Sequence, residues 1–133
     1  MDRVSVTFEL SNYRDVLLVR HGLLAPDRIR RVTVEGVVNA KAMHMVLPKS
    51  VVDQLGLPVS KLPALHMGRK CDMVNDAFVQ LLGRSGVHNA IVDPNRTQAL
   101  LGAIVMADLD LIVDCGKNEL VPRDPNGIIS EVE

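Results

Sequence analysis

The chain has 133 residues, a length typical of one compact domain. Hydrophobic residues make up 47% of it but aromatic ones only 2%, so aliphatic side chains must build the core, and a module that stacks nucleic-acid bases is excluded. With 15 Lys and Arg against 16 Asp and Glu, the formal charge of −1 lacks the basic excess of a general nucleic-acid binder.

The amino terminus and the cysteines indicate a cytoplasmic protein. Residues 1–10 alternate apolar and polar side chains, whereas a signal peptide needs an unbroken apolar run. No segment reaches the ~18 uninterrupted apolar residues of a membrane-spanning helix, so we expect no membrane contact. Cys71 and Cys115 lie far apart with no CxxC motif, which predicts free thiols in a reducing compartment.

The first third of the chain is predicted to form strands. Residues 4–8 alternate with a period of two, which is typical of a half-buried strand. The rest of residues 1–28 is predicted to be a connecting segment. Residues 29–38 indicate a long strand with a bulge at Gly36, and residues 43–47 a shorter strand.

A helix is the clearest local prediction. Pro48 suits its first turn, and Val51, Val52 and Leu55 share one face. Gly56 stands where a left-handed C-terminal cap belongs. We therefore predict that the helix ends at this glycine.

The middle of the chain has weaker patterns. Within residues 61–80, the most turn-like positions are 68–70. Residues 78–82 and 87–92 resemble two strands, joined by a turn at 83–86.

The last third predicts further short elements. Residues 99–101 indicate a buried strand, and Gly102 begins a short helix over 103–108. Residues 111–121 predict a hairpin, and 122–133 form a C-terminal tail. All 133 residues are therefore predicted to form a single, mainly β domain with one or two short helices.

Two segments carry a family resemblance. Residues 37–42 read Val-Val-Asn-Ala-Lys-Ala and precede an apolar strand and a helix ending in Leu-Gly-Leu at 55–57. Residues 99–102 read Ala-Leu-Leu-Gly and precede a second short helix. In this order they resemble the D-T/S-G-A active-site segment and the later apolar-apolar-Gly motif of retropepsin-like (retroviral-type, clan AA) aspartic proteases, including bacterial single-domain members. The structural motif residues implied by the resemblance are Ala42, Leu100, Leu101 and Gly102.

The resemblance implies a fold, an assembly and a reaction. The fold is a closed β-barrel of the acid-protease type, and one chain of this length supplies half of a cleft, so a homodimer is expected. In the family, each protomer contributes one Asp, and the two carboxyl groups share a proton so that one acts as base while the other acts as acid. No cofactor and no metal are implied.

The sequence departs from the family at the reacting positions. Asn39 stands at the position of the catalytic Asp, Ala40 at that of the Thr, and Lys41 at that of the Gly. An amide cannot ionise to act as base, and Ala40 lacks the hydroxyl that joins the two loops of the dimer. Lys41 predicts either a strained, glycine-favoured conformation or a rearranged loop. We therefore expect a catalytically inactive homologue that binds an extended peptide by strand addition or serves in assembly.

Lys41 has two interpretations. In a homodimer, its two copies would face one cleft and could contact an anion or a carboxylate. Two close ammonium groups would repel each other unless an acidic partner lay between them. The other interpretation is a solvated loop lysine.

The family also has a flap that closes over the substrate. The resemblance places it at residues 61–71, and the residues expected to contact the substrate are Leu65, His66, Met67, Gly68 and Arg69. This segment is short and keeps only Gly68 of a polar, glycine-rich tip. Pockets beneath it are expected to be aliphatic.

The sequence leaves other functions open. An active aspartic endopeptidase with a variant site is one alternative. Residues 46–57 also resemble the strand–Pro–helix unit of swapped-hairpin bacterial transcription regulators, although the near-zero charge and the length of this chain do not suit DNA binding. The four histidines lack metal-ligand spacing, and Asp108, Asp110 and Asp114 are predicted to cap or flank a helix rather than to act in catalysis.

Overall fold

The computed structural model describes residues 4–124, which form a mainly β domain. The predicted tail over 122–133 lies outside these residues from position 125 onward. The strands of the described part are β1 (Ser5–Asn12), β2 (Arg31–Val38), β3 (Met45–Pro48), β4 (Ala64–His66), β5 (Arg69–Cys71), β6 (Met73–Leu81), β7 (Arg84–Asp93), β8 (Ala99–Leu101), β9 (Leu111–Asp114) and β10 (Glu119–Pro122). Its helices are α1 (Tyr13–Arg20), α2 (Lys49–Leu55) and α3 (Ala103–Asp108), together with a 3-10 turn at Pro26–Arg28.

Six of the strands close into a barrel in the order β1-β2-β8-β3-β7-β6. The period of two in the first strand is confirmed, since Phe8 and Leu10 are buried while Thr7 is exposed. The core is aliphatic, as the composition predicts. Its largest fully buried side chains are Leu10, Met45, Leu47, Leu55, Leu101 and Leu109. None of the helices within residues 4–124 is long and apolar enough to cross a bilayer.

Two parallel pairings position the functional region. β2 runs parallel to β8, with Val37 opposite Leu100, and β3 runs parallel to β7. β3 also meets β8 at Val46, which lies opposite Leu100. Because parallel strands end at the same edge, the residues that follow β2 and β8 lie together. These are Asn39 and Gly102, which are 63 residues apart in the sequence.

The described residues contain three short α-helices, one more than the predicted one or two, and the additional helix is α1. Asn12 caps it, because its Oδ1 accepts a hydrogen bond of 3.2 Å from the backbone N–H of Asp15. Its Nδ2 donates to the Leu55 carbonyl at 2.8 Å, at the end of α2. Asn12 is only 1% exposed. A single buried amide thus joins the start of α1 to the end of α2.

An ion pair joins α1 to the start of β2. Arg30 donates from Nε to Asp15 Oδ2 at 2.9 Å and from Nη2 to Oδ1 at 3.0 Å, and its backbone N–H also donates to Oδ2. The hydrogen bonds from the Arg30 side chain hold the pKa of the Asp15 carboxyl below its ordinary value of 3.8.

The pH dependence of stability should report this pair. A carboxyl whose folded pKa is lowered stabilises the fold above its unfolded pKa, and this contribution is lost as pH falls through the folded value. We expect Asp15→Asn to cost about 1 kcal/mol at neutral pH, and the difference from the wild type to shrink below about pH 4. Urea denaturation across this range measures it, with Asp27→Asn, an exposed carboxyl, as control. A difference that does not change with pH would refute the assignment.

Gly36 does not form a bulge. β1 and β2 pair in continuous register through Val6 and Gly36. A Cβ at this glycine would lie 2.9 Å from the Ala99 carbonyl oxygen, so the residue allows β8 to approach closely. The register shift occurs instead in β6, between Val74 and Ala77.

The predicted turns at 83–86 and 68–70 are wrong by one or two residues. The β6–β7 turn consists of Leu82 and Gly83, with φ of 51° and 77°, and Arg84 already belongs to β7. The β4–β5 turn consists of Met67 and Gly68, with φ of 52° and 74°. Both are two-residue turns with positive φ, the geometry that matches the twist of a hairpin. The helix at α2 and its left-handed Gly56 are confirmed.

Candidate functional site

The loop after β2 is folded around the Asn39 side chain. The Asn39 backbone N–H donates to the Leu101 carbonyl at 3.0 Å, which ties the loop to the end of β8. Its side-chain Oδ1 accepts from the backbone N–H of Lys41 at 3.0 Å, and its carbonyl accepts from Ala42 N–H at 3.1 Å. This is an Asx-type turn, so the amide side chain is used to fold its own loop.

The Lys41 backbone does not adopt the strained, glycine-favoured conformation that was one of the two expectations for this position. Among residues 4–124, the non-glycine residues with positive φ do not include Lys41, so the loop places it without the left-handed conformation. Asn39, Ala40 and Lys41 are all exposed. No carboxylate within the described residues forms an ion pair with the Lys41 ammonium.

The loop packs directly against the backbone of Gly102, which follows β8. A Cβ there would lie 2.6 Å from the carbonyl oxygen of His44 and 2.8 Å from those of Ala42 and Met43. The next residues bind the same carbonyls, since Ala103 N–H donates to Ala42 at 2.7 Å and the following N–H donates to Met43 at 3.1 Å. The apolar-apolar-Gly segment therefore ends in glycine because three backbone carbonyls leave no space for a side chain.

The loop and the β4–β5 hairpin share a small apolar cluster. Ala42 of the loop packs against it from one side, and Ala64 and Cys71 of the hairpin pack against it from another. This cluster is separate from the barrel core, and four buried side chains form it: Val37, Val46, Ile91 and Leu100. The structure thus brings together the segments that the sequence placed at the catalytic position and at the flap.

The hairpin exposes part of its apolar surface. Leu65 is 79% exposed and Met67, at the turn, is 83% exposed. His66 lies on the face opposite Leu65, with its Nε2 3.5 Å from Asp93 Oδ2 at the end of β7. The hairpin is therefore held against the barrel on one face and presents apolar side chains on the other.

A cavity of about 350 Å³ lies between this hairpin and the turn after β7. The hairpin contributes His66, Arg69 and Lys70, whereas the barrel side contributes Lys49 and Asp93. Its remaining lining residues are Met67, Cys71, Asp72, Val92, Pro94 and Asn95. This cavity could not be predicted from local patterns, because the residues of its two walls are at least 17 positions apart in the sequence.

A second cavity of about 240 Å³ is lined by His44 and His88. His88 is buried, and its Nε2 lies 3.0 Å from Asp108 Oδ2. Gly86 leaves the space that the Asp108 carboxylate fills. Within residues 4–124, no group of three His, Cys, Asp or Glu side chains could hold a metal ion.

The chemistry of the loop differs from that of an acid protease. Residues 39–44 offer an amide, an ammonium group, an imidazole and apolar side chains, but no carboxyl group. Asp108, Asp110 and Asp114 lie elsewhere, around α3 and the β9–β10 turn. Asp108 ends α3, whereas Asp114 ends β9 rather than flanking a helix, and its Oδ1 accepts from Gly116 N–H at 3.0 Å in the turn that follows.

Comparisons with known proteins identify the fold. No protein-family model matches the sequence, and no curated protein matches it either. The retroviral protease-like domain of Ddi1 from Leishmania major is 14% identical, with 91% of this chain and 90% of that chain covered and a TM-score of 0.53. A retropepsin-like aspartic protease from Rickettsia conorii is 15% identical over 86% of this chain and 89% of that chain, with a TM-score of 0.49. EIAV protease in complex with the inhibitor HBY-793 is 14% identical over 58% of this chain and 77% of that chain, with a TM-score of 0.46.

The chain therefore has a retropepsin-like fold, as the resemblance implied. The barrel of six strands closes within one chain. A swapped-hairpin regulator builds its barrel from two chains, so that alternative does not match this topology.

Proposed function

We propose that this chain is a catalytically inactive homologue of retropepsin-like aspartic proteases, which binds an extended peptide segment as a homodimer. The observation that carries the proposal is the Asx-type turn of Asn39. The position expected for a catalytic carboxyl holds an amide whose oxygen is bound to the Lys41 N–H at 3.0 Å. Acid-protease chemistry needs two carboxyl groups sharing a proton, and an amide supplies neither the base nor the acid.

The exposure of the loop supports a homodimer. Asn39, Ala40 and Lys41 are exposed on a single barrel, and in the proposed homodimer they would form half of a cleft that the second copy completes. Next to them, Met43 is 64% exposed and Ile104 is 44% exposed. These apolar side chains beside an exposed loop suit a contact with a second copy. Cys71 and Cys115 are unpaired, which suits the reducing cytoplasm to which we assign the protein.

The hairpin supports peptide binding. Extended peptides bind by adding a strand to exposed backbone, with alternate side chains entering pockets. The β4–β5 sheet has only two strands, so each has an edge free of strand pairing within the described residues. The hairpin and the loop pack against the same small apolar cluster, and the exposed Leu65 and Met67 of the hairpin offer apolar contacts to the side chains of a peptide.

A triple reversion tests the proposal. The variant Asn39→Asp, Ala40→Thr, Lys41→Gly restores the carboxyl, the hydroxyl and the glycine of the family motif. We expect no cleavage by the wild type, and cleavage by the variant at least about 100-fold above background, since positioned acid–base groups contribute 10²–10⁴-fold. A fluorogenic peptide library, assayed from acidic to neutral pH, measures this.

Two single variants control the result. Asn39→Asp alone leaves Ala40 and Lys41 in place, so we expect less activity than from the triple variant. Asn39→Ala tests the wild type itself. Cleavage by the wild type that Asn39→Ala abolishes would show an active endopeptidase and contradict the proposal.

A further inference from the structure

Positive charge is concentrated in one part of this chain. Residues 41–71 contain five Lys or Arg residues and one acidic residue, Asp53, although acidic residues outnumber basic ones by one in the whole chain. The rest of the chain is correspondingly acidic. The five basic residues are Lys41, Lys49, Lys61, Arg69 and Lys70.

These charges border the site described above. Lys41 precedes Ala42, and Lys70 precedes Cys71, and both of these neighbours pack against the small apolar cluster. Arg69 and Lys70 also line the 350 Å³ cavity beside the hairpin. Lys41 thus belongs to the loop, and Arg69 and Lys70 to the hairpin, the two segments whose apolar residues pack against the cluster.

Most of these cations have no partner within residues 4–124. Lys49 pairs with Asp53 at 2.8 Å, whereas Lys41, Lys61, Arg69 and Lys70 form no ion pair there. Among residues 4–124, the acidic side chains that line the cavity are those of Asp72 and Asp93. Asp93 is already bound, since its Oδ1 accepts from Asn95 N–H at 2.9 Å and its Oδ2 faces His66.

We propose that the peptide bound by this chain is acidic, with Asp or Glu residues next to aliphatic ones. This inference rests on the proposed peptide-binding function and names its substrate class. In the homodimer, two Lys41 ammonium groups face one cleft, where a carboxylate between them relieves their repulsion. Arg69 and Lys70 of each hairpin then attract further carboxylates of the same peptide.

The surroundings of these charges favour a peptide over a nucleic acid. The exposed apolar side chains of the hairpin are Leu65 and Met67, and neither of them is aromatic. Single-stranded nucleic acids bind on aromatic side chains, which stack with their bases. The chain has only two Phe and one Tyr, and of these Tyr13 and Phe78 pack against each other.

Two matched peptides test the inference. One is a fluorescein-labelled peptide of alternating Val and Glu, and the other has Gln in place of every Glu. By fluorescence anisotropy at low salt, we expect the Glu peptide to bind about tenfold more tightly to the wild type. The advantage should shrink as salt rises, because ions screen exposed charges beyond a Debye length of ~10 Å at 0.1 M.

Charge-removing variants locate the effect. Lys41→Gln and the double variant Arg69→Gln, Lys70→Gln should each weaken binding of the Glu peptide about three- to fivefold and leave the Gln peptide unchanged. Lys117→Gln is the control, because Lys117 is exposed in the β9–β10 turn, outside the basic segment. Circular dichroism verifies that every variant is folded.

The outcomes separate the two proposals. If both peptides bind equally at every salt concentration, the acidic preference is wrong and the peptide-binding function stands. If neither peptide binds, the proposed function fails and the inference fails with it. If a single-stranded oligonucleotide of equal charge binds more tightly than the Glu peptide, and Lys41→Gln weakens it, the basic surface binds nucleic acid and the inference is overturned.

Discussion

Gly102→Ala is expected to lower the free energy of unfolding by about 3 kcal/mol, near the upper end of the usual cost of overpacking. The added methyl group would lie within 3 Å of three backbone carbonyls, those of Ala42, Met43 and His44. Backbone atoms cannot turn away as a flexible side chain does, so the loop must move as a unit. Urea denaturation, followed by circular dichroism, measures the loss.

Gly116→Ala is the matched control. Gly116 also lacks a positive φ, and the nearest atom to its Cβ position is Asp114 Oδ1 at 3.3 Å. We expect the control to change stability by less than about 0.5 kcal/mol, as is usual at the surface. If Gly102→Ala were as mild as the control, the loop would not be packed on this glycine, and the placement of Asn39 beside β8 would lose its support.

Local patterns were sufficient to predict most of the strands. The alternation in β1 and the Pro48-to-Gly56 signals of α2 depend on neighbouring residues, so they could be interpreted without the fold. The order of elements from β8 to β10 followed from similar signals. The closed barrel could be expected only from the resemblance, because the parallel pairing of β2 with β8 joins residues far apart in the sequence.

Helix α1 was missed for a physical reason. An amphipathic helix is recognised by an apolar face, but the only buried residue of α1 is Asp15. The available signal was its cap, since Asn12 precedes Asp15 by three residues, as in a capping motif. The partner that fixes Asp15 is Arg30, across the connecting segment, and no local pattern indicates that pairing.

In the candidate site, too, local features could be predicted from the sequence and long-range contacts could not. Sequence order placed Asn39, Ala40 and Lys41 on a loop after a strand, which the structure has. The bond from the Lys41 N–H to Asn39 Oδ1 is local, since it spans two residues and Asn favours such turns. The packing of the loop and the β4–β5 hairpin on one apolar cluster is non-local. The excess of basic residues in 41–71 can be counted in the sequence. Its link to a binding site depends on the fold, because only the fold packs the loop and the hairpin against the same cluster.

Arg84 was assigned to a turn, yet it is 8% exposed and belongs to β7. Its Nη1 donates to the carbonyls of Leu109 and Asp110 at 2.9 and 2.8 Å, and its Nη2 donates to that of Asp124 at 2.7 Å. One guanidinium group therefore satisfies three carbonyls at the end of α3 and beyond β10. No other residue type presents several donors in such a fixed fork.

Arg84→Ala should therefore cost about 3 kcal/mol, because hydrogen bonds to a charged group contribute about 1.5–3 kcal/mol each. The buried Leu109 carbonyl would lose this donor, whereas the Asp110 carbonyl keeps the Arg123 N–H at 2.9 Å. Arg84→Lys should recover only part of the loss, because a single ammonium group cannot reach all three carbonyls in the same geometry. Arg96→Ala is the control, since the Arg96 side chain donates from Nε to the nearby Gln98 carbonyl at 2.7 Å, an exposed bond. Thermal and urea denaturation compare the three variants, and a loss in Arg84→Ala no larger than that in Arg96→Ala would show that this network does not hold α3 and β10 together.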